Sequence, residues 1–266
     1  MESKNTAHDW RYQEEQEQEM TFDQLAAVTP NPYDNQLAKG EQVQRMFDGI
    51  ALRYDLLNDF ISFGLHRLWK KEACHRLALK PGDSVLDICT GTGDLIGYLR
   101  PKVGEDGWVE GLDFSADMLA QARERFRNAY NLRLTQGDAQ QLPYPDNHFD
   151  GVIISFGLRN MSNLPLALSE MYRVLKPGGR MVSLDTCPTS KIPFMDFYLK
   201  HIMPRLGSFL AGDRSAYEYL AKSTQNFLTP EQLKVAFELA GCKAVESRPL
   251  MWGAASLQVG IKADCF

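Results

Sequence analysis

The chain has 266 residues, with 29 Lys and Arg against 34 Asp and Glu, 44% hydrophobic residues and 24% charged residues. This ordinary globular composition excludes collagen-like, coiled-coil and wholly disordered classes, and the length suits one large α/β domain or two small ones. The sequence contains no run of 18 apolar residues, so no membrane-spanning helix is expected. Its five cysteines lie far apart without a C-x-x-C pair. We therefore expect a reduced, cytoplasmic environment rather than a disulfide framework or a zinc site.

The charge is unevenly distributed along the chain. Residues 1–45 hold nine acids and four bases, whereas residues 46–266 hold 25 of each. Nucleic acid is not expected as a partner, because there is no basic excess to attract it. Residues 1–40 are rich in Gln and Glu and are predicted to form an acidic, disordered leader. Residues 41–266 are predicted to form the folded body.

Helical periodicity begins near residue 41, and a second helix is predicted for residues 67–79, where Pro81 ends it. Beyond this point strands alternate with helices. Residues 190–225 are predicted to form a helical, aromatic-rich insertion before the last helix. Strands are predicted at 84–89, 108–114, 132–136, 149–155, 180–185, 243–248 and 255–262. One helix is predicted to start at residue 95, and three others are predicted at 115–130, 164–175 and 230–241.

The alternation of strands and helices predicts right-handed βαβ units. The expected fold is therefore an α/β, doubly wound, mostly parallel seven-stranded sheet, with N-terminal helices and a helical insertion. Residues 41–80 and 190–225 are expected to cover the substrate. Ligands of such sheets bind beyond the carboxyl ends of the strands, so the residues at those ends are the candidates for a site.

A glycine turn follows the first predicted strand. Gly91 and Gly93 allow a ligand to approach the backbone, and the helix N-terminus that follows favours an anionic group. The second strand ends in Asp113, whose carboxylate can accept hydrogen bonds from both hydroxyls of a ribose. Asp138 and Ala139 after the third strand can bracket an adenine. These features predict a nucleoside ligand, although they also describe dinucleotide-binding folds.

Two further residues discriminate between the ligand classes. Ile96 stands where a dinucleotide-binding loop would have its third glycine, and its bulk argues against a pyrophosphate beside the helix. Asp87, just before the glycines, suits a ligand with an amino group and a positive centre. S-adenosylmethionine fits, because it has an adenosine, an amino-acid tail and a sulfonium cation but no phosphate. A nicotinamide-dependent oxidoreductase is the alternative.

Four motifs occur together in the neutral body: Y-D-L-L-N-D at 54–59, S-F-G-L-H-R-L-W-K at 62–70, F-G-L-R-N at 156–160 and R-V-L-K-P-G-G-R at 173–180. With them the sequence resembles the ubiquinone/menaquinone biosynthesis C-methyltransferase family from about residue 41 to residue 262. The resemblance implies methyl transfer from S-adenosylmethionine to a ring carbon of a polyprenylated quinol. That quinol is either demethylmenaquinol or a 2-methoxy-6-polyprenyl-1,4-benzoquinol.

The resemblance also implies roles for individual residues. The sequence departs from the family pattern at Cys89-Thr90, Leu57 and Leu228 and in its longer acidic leader. The changes in the loop are not expected to affect cofactor binding, whereas the tail differences leave the choice of substrate open. The positions that the resemblance assigns to the cofactor are Thr92, Asp113, Asp138, Ala139 and Ser155, and those that it assigns to the reacting ring are Tyr54, Arg159 and Asn160.

A ring carbon becomes a good nucleophile once a neighbouring hydroxyl has lost its proton. Arg159 is the candidate for stabilising the resulting phenolate, because a guanidinium donates two hydrogen bonds and stays charged. A water held by Tyr54 and Asn160 is the preferred proton acceptor, with His66 as an alternative. No metal is required. The competing interpretation of Arg159 is a structural bridge to a nearby acid.

The isoprenoid tail requires an apolar entry. Residues 192–210 are apolar with interspersed bases, and they fit either ordinary packing over the sheet or a tunnel and peripheral membrane contact on the inner face. A quinone-biosynthesis complex and a homodimer are further expected associations. Two alternatives stay open: a related small-molecule methyltransferase with another acceptor, and a non-catalytic S-adenosylmethionine-binding assembly factor.

Overall fold

The computed structural model describes residues 62, 64–188 and 214–264, together with Thr21, Gln24, Val43 and Asp59. Several predicted features lie outside the described residues. They are most of the acidic leader, most of the helix predicted from residue 41, the apolar segment at 192–210, and Tyr54.

A seven-stranded sheet forms the centre of the fold, with the order β3-β2-β1-β4-β5-β7-β6. All strands run parallel except β7, which is antiparallel to both β5 and β6. The predicted doubly wound, mostly parallel sheet is thereby confirmed. The strands are β1 (Ser84–Ile88), β2 (Trp108–Asp113), β3 (Leu132–Gln136), β4 (Phe149–Ser155), β5 (Leu175–Thr186), β6 (Lys243–Leu250) and β7 (Ala255–Ile261).

Helices flank the sheet on both faces. The last of them begins with a capping box, in which the Thr229 hydroxyl accepts the backbone N–H of Gln232. Within the described ranges no helix is long and apolar enough to cross a membrane. The helices are α1 (Leu65–Arg76), α2 (Ile96–Val103), α3 (Ala116–Arg125), α4 (Leu164–Val174), α5 (Arg214–Gln225) and α6 (Pro230–Leu239).

Two apolar clusters make the core, one on each face of the sheet. On one face α4 and α6 pack over Leu86 and Val152. On the other, α1 and α2 pack over Val85 and Ile153. Adjacent residues of one strand thus serve opposite faces, as the pleat of a strand requires. Strands buried on both faces explain the continuous apolar runs in the sequence.

The structure corrects several predicted boundaries, among them that of the helix predicted for residues 67–79, which spans Leu65–Arg76. The helix predicted for 115–130 ends at Arg125, because the backbone of Phe126 leaves the helical region (φ −115°, ψ 27°). The strand predicted for 180–185 begins at Leu175, which pairs with Phe149 of β4. Its proline–glycine turn is tied to the end of β7, since the N–H of Gly178 donates to the carbonyl of Lys262 at 2.9 Å.

Candidate functional site

A cavity lies at the carboxyl ends of β1, β2 and β4, where ligands of doubly wound sheets bind. It contains about 810 Å³ of open space, counting the solvent at its mouth. Its lining is mixed, with acidic and hydroxyl groups beside apolar and aromatic side chains. The described lining residues are Val43, Cys89, Gly91, Leu112, Asp113, Phe114, Ser115, Met118, Gly137, Asp138, Ala139, Gln140, Ser155, Phe156, Gly157, Asn160, Met161 and Ser162.

The carboxylate of Asp113 connects β2 to the glycine turn after β1. One of its oxygens accepts the backbone N–H of Gly91 at 2.8 Å, and the other accepts the backbone N–H of Ser115 at 2.9 Å. These two bonds fix the position of the carboxylate at the cavity wall. A Cβ built on Gly91 would meet no atom within 4 Å, so the turn faces open space.

Gly93, the second glycine of the turn, has a different environment. Its φ is +85°, and a Cβ there would lie 2.7 Å from the ring of Phe126 and 3.1 Å from Ile96. This glycine therefore serves the packing of the turn rather than the cavity. Thr92 between the two glycines is buried, and its carbonyl accepts from Arg125 at 3.5 Å.

Polar groups also stand at the ends of the next two strands. The hydroxyl of Ser155, at the end of β4, is buried and has no hydrogen-bond partner among the described residues. The carboxylate of Asp138 accepts the backbone N–H of Gln140 at 2.8 Å and its side-chain amide at 3.0 Å. Ala139 lies between them and is buried against the cavity. A buried hydroxyl without a protein partner is a group that a ligand can satisfy.

Sequence reasoning did not identify Cys89 and Phe156 as site residues, although both line the cavity. They follow β1 and β4 directly, and both have left-handed backbones, with φ of +55° and +58°. Such conformations are costly outside glycine and cluster at functional sites. Burial raises the pKa of the Cys89 thiol well above its ordinary value, which keeps it neutral. The signal in the sequence that could have identified these two residues was their position at the carboxyl end of a strand.

Asp87 is fully buried at the carboxyl end of β1. Burial raises the pKa of its carboxyl group to about 7, against the opposing effects of the hydrogen bond from Thr90 and the charge of Lys70. The Thr90 hydroxyl donates to one carboxylate oxygen at 2.6 Å. The other oxygen has no hydrogen-bond partner within the described part of the chain.

Asp94 connects the glycine turn to two neighbouring helices. Its carboxylate accepts from Lys70 of α1 at 2.7 Å and from Arg125 of α3 at 2.8 Å. Burial opposes its ionisation, but the two cations outweigh that effect and lower its pKa to about 2. Asp94 thus neither caps α2 nor lines the cavity, and instead joins helix α1 to the turn.

Arg159 forms a structural bridge to a nearby acid, which was the competing interpretation of this residue. The acid is Asp185. Its Nη1 donates to Asp185 at 2.5 Å and to the carbonyl of Phe156 at 2.8 Å. The arginine side chain is 5% exposed and the aspartate is fully buried. Removing one partner of such a buried ion pair strongly destabilises the fold, because the other charge stays buried without compensation.

Asn160, next along the same 3₁₀ turn, lines the cavity. Its amide nitrogen donates to the carbonyl of Phe156 at 3.2 Å, and its amide oxygen accepts from the hydroxyl of Tyr219 at 2.9 Å. Tyr219 belongs to α5, so this bond attaches the insertion to the cavity wall. His66, the alternative proton acceptor, is buried, its Nδ1 lies 2.8 Å from the Ser62 hydroxyl, and burial lowers its pKa.

The structure therefore gathers part of the predicted set. Asp87, Thr92 and Gly93 are not among the residues that line the cavity. Arg159 does not line it either but bonds to the carbonyl of the lining residue Phe156, and Tyr54 lies outside the described residues. Within the described ranges no group of three His, Cys, Asp or Glu side chains is placed to hold a metal ion. The predicted residues that line the cavity are Gly91, Asp113, Asp138, Ala139, Ser155 and Asn160.

Comparison with known proteins identifies the kind of site. Residues 35–262 match the model of the ubiE/COQ5 methyltransferase family. The chain belongs to this family. It is 42% identical over 228 residues to the demethylmenaquinone methyltransferase of Staphylococcus carnosus, covering 85% of this chain and 95% of the relative. The Staphylococcus aureus (strain JH9) protein of the same name is 42% identical over 232 residues, covering 86% and 96%.

Solved structures of methyltransferases share the fold. A SAM-dependent methyltransferase from Aquifex aeolicus superposes with a TM-score of 0.54 at 21% identity, covering 72% of this chain and 88% of that one. Phosphoethanolamine N-methyltransferase 2 of Haemonchus contortus, in complex with S-adenosylmethionine, gives 0.63 at 17% identity, covering 86% and 61%. These values support the class I methyltransferase architecture.

Membership of the ubiE/COQ5 family confirms the predicted C-methyltransferase activity and the predicted methyl donor. The cavity also fits S-adenosylmethionine on its own features. It offers the fixed carboxylate of Asp113, open space before Gly91 and, at Ser155, a hydroxyl without a hydrogen-bond partner among the described residues. Ile96 is fully buried and fills the place of a dinucleotide-binding glycine, which disfavours the nicotinamide alternative.

We expect Asp113→Ala to weaken S-adenosylmethionine binding by about tenfold or more, because a hydrogen bond to a charged group contributes ~1.5–3 kcal/mol. Isothermal titration calorimetry measures the effect. Asp117→Ala is the matched control, since Asp117 is exposed on the next turn and does not line the cavity. Equal affinities in the two variants would contradict the assignment.

The raised pKa of Asp87 predicts a pH dependence of cofactor binding. Below about pH 7 the carboxyl group is protonated and must lose its proton to pair with a cationic amino group. Affinity should therefore rise with pH and level off above about 7 in the wild type, relative to Asp87→Asn. The ligand's own amino group titrates identically in both proteins, so the ratio of affinities isolates Asp87. A pH-independent ratio would remove Asp87 from the site.

Proposed function

We propose that the protein methylates a ring carbon of demethylmenaquinol, a naphthoquinol with a polyprenyl tail. The observation that carries this proposal is the 42% identity, over nearly the full length of the relatives, to proteins named demethylmenaquinone methyltransferase. A related benzoquinol is the second candidate acceptor, because the matched family model carries both names, ubiE and COQ5.

The reaction joins a carbon nucleophile to a methyl group. S-adenosylmethionine, when bound, supplies that methyl group on a positively charged sulfur. As the new carbon–carbon bond forms, the carbon–sulfur bond breaks with its electron pair remaining on sulfur, and the ring carbon then loses its proton to water. The protein aligns the reacting atoms, a contribution that reaches ~7–11 kcal/mol, and stabilises the phenolate form of the ring.

Asn160 and Phe156 are the described residues that form the acceptor side of the cavity. Phe156 offers an apolar ring, and its carbonyl is held by both Arg159 and Asn160. Asn160 has one amide N–H beyond that bond, which can orient a water or the ring hydroxyl. The hydroxyl of Tyr219 fixes which way the amide points.

Arg159 has the role of stabilising the phenolate from the cavity wall. Nη1 of Arg159 donates to Asp185 and to the Phe156 carbonyl, two of the five N–H groups that a guanidinium carries. The ion pair to Asp185 holds the guanidinium in place. A fixed donor costs no reorganisation when charge develops on the ring oxygen, which is how preorganised sites accelerate reactions.

The substrate's tail places the reaction at a lipid surface, and we include peripheral contact with the inner face of the cytoplasmic membrane in the proposal. A homodimer or a quinone-biosynthesis complex stays a prediction. The alternative of a non-catalytic assembly factor does not explain why Asn160 lines the acceptor side of the cavity, because a scaffold needs no polar group there.

We expect the purified protein to methylate a short-tailed demethylmenaquinol and to use the corresponding benzoquinol at least tenfold less efficiently. Methyl transfer followed by mass spectrometry of the extracted quinols measures both. A small catechol or phenol lacking a prenyl chain is the control for a different acceptor class. Absence of turnover on either quinol, with normal cofactor binding, would overturn the proposal.

The role of Arg159 calls for a paired substitution, because removing the guanidinium alone leaves the buried Asp185 uncompensated. We expect Arg159→Met/Asp185→Asn to fold and to bind S-adenosylmethionine within a few-fold of the wild type, but to lose at least 100-fold in kcat. Calorimetry and turnover measure the two effects. Asp185→Asn alone keeps the guanidinium and should retain more activity than the double variant. Full activity of the double variant would reduce Arg159 to a structural bridge.

A further inference from the structure

Trp252 is the most exposed large hydrophobic residue of the described chain, at 85%. It lies in a short 3₁₀ turn, Met251–Gly253, between β6 and β7. Its backbone is left-handed, with φ of +57°, a conformation that is costly for a bulky side chain. An exposed indole held in a strained turn stabilises neither the core nor the turn.

The turn lies on the edge of the sheet that carries the cavity. Thr186, the last residue of β5, pairs with Ala255, the first residue of β7. Since β5 runs parallel to β4, the start of β7 and the turn before it stand at the carboxyl edge. Three strand spacings separate β4 from β6, a distance of about 14 Å. Trp252 and the cavity therefore face the same side of the molecule.

Helix α1 brings a second apolar side chain to this flank. Glu72 of α1 pairs with Arg248 of β6 at 2.9 Å, and Arg76, one turn later, pairs with Glu246. The helix thus runs antiparallel to β6, with its first turn toward the carboxyl edge. Leu68 precedes Glu72 by one turn on the same helix face and is 64% exposed. Leu68 and Trp252 are consequently placed on the same flank of that edge.

The charge around these side chains is opposite to that of the whole chain. Residues 65–76 contain four Lys or Arg residues and one acid, a net of +3, whereas the chain carries −5. Arg67 and Lys71 of this helix are exposed beside Leu68, and Arg67 also pairs with Asp59. Lys70 and Arg76 pair with Asp94 and Glu246, so Lys71 is the exposed base of the helix for which no ion pair is seen within the described residues. A tryptophan and a leucine next to exposed bases match the chemistry of an anionic bilayer surface, where indoles lie at the headgroup level and bases attract acidic lipids.

We propose that Leu68 and Trp252, with the basic face of α1, form the surface by which the protein docks on an anionic lipid bilayer. The inference rests on the proposed function, because a lipid-tailed quinol resides in such a bilayer. Docking through this surface turns the carboxyl edge of the sheet, and with it the cavity, toward the membrane. The polyprenyl tail can then stay in lipid while the ring enters the site.

Vesicle co-sedimentation of the full-length protein tests the surface. The wild type should bind vesicles of phosphatidylcholine with phosphatidylglycerol more tightly than vesicles of phosphatidylcholine alone. Leu68→Gln/Trp252→Asn should lose at least tenfold in binding, and Lys71→Glu should remove the preference for the anionic vesicles. Glutamine suits a helix, and asparagine tolerates a left-handed backbone, so the double variant should fold and bind S-adenosylmethionine normally.

Tyr130→Asn is the matched control. Tyr130 is 63% exposed but lies two residues before β3, at the opposite, amino edge of the sheet, and its substitution should leave vesicle binding unchanged. Wild-type binding by the Leu68→Gln/Trp252→Asn variant, or failure of the wild type to bind either vesicle, would overturn the proposal. The proposal would also be overturned if the wild type formed a dimer without binding vesicles and the Leu68→Gln/Trp252→Asn variant did not form that dimer. A second copy of the chain would then cover this surface.

Turnover of a short-tailed quinol in solution separates this proposal from the proposed function. Wild-type turnover without vesicle binding refutes the docking surface and leaves the function intact. Vesicle binding that depends on Trp252, without turnover of any quinol, supports the docking surface and refutes the function.

Discussion

Strands β1 and β4 lie side by side in the sheet, but the chain leaves their carboxyl ends toward opposite faces. Helix α2 after β1 packs into one apolar cluster, and α4 after β4 packs into the other. This divergence opens the cleft that becomes the cavity. The strain of the left-handed Cys89 and Phe156, directly after the two strands, is the local cost of turning the chain away. The position of each other site residue follows from that opening.

Most charged side chains around the cleft form ion pairs with other residues of the protein. Asp94 is neutralised by Lys70 and Arg125, and Asp185 by Arg159. These pairs connect the covering helix α1 to the glycine turn, and the F-G-L-R-N motif to β5. Asp113, by contrast, is held by backbone N–H groups at the cavity wall. The described wall of the cavity therefore carries two carboxylates, Asp113 and Asp138, each held by hydrogen bonds from the protein, beside apolar and hydroxyl groups.

The sequence alone predicts the sheet, because its buried strands occur as short apolar runs bounded by glycine and proline. The sequence also pointed to Asp113 and Asp138 at strand ends and, through the family resemblance, to Ser155; all three line the cavity, and their roles stay predictions. It could not predict that Asp94 would bind two cations from distant helices, or that Asp185 would pair with Arg159, because such contacts depend on three-dimensional proximity. The extension of β5 to Leu175 was missed for the same reason, since the pairing partners lie in β4 and β7. Trp252 gave no sequence signal, because its exposure is a property of the folded turn.

The quinone content of cells tests most directly whether this cavity methylates demethylmenaquinol. A strain in which the gene is deleted should accumulate demethylmenaquinone and lose menaquinone, and the wild-type gene should reverse both changes while Asp113→Ala should not. Unchanged menaquinone in the deletion strain, or accumulation of a different precursor, would contradict the account.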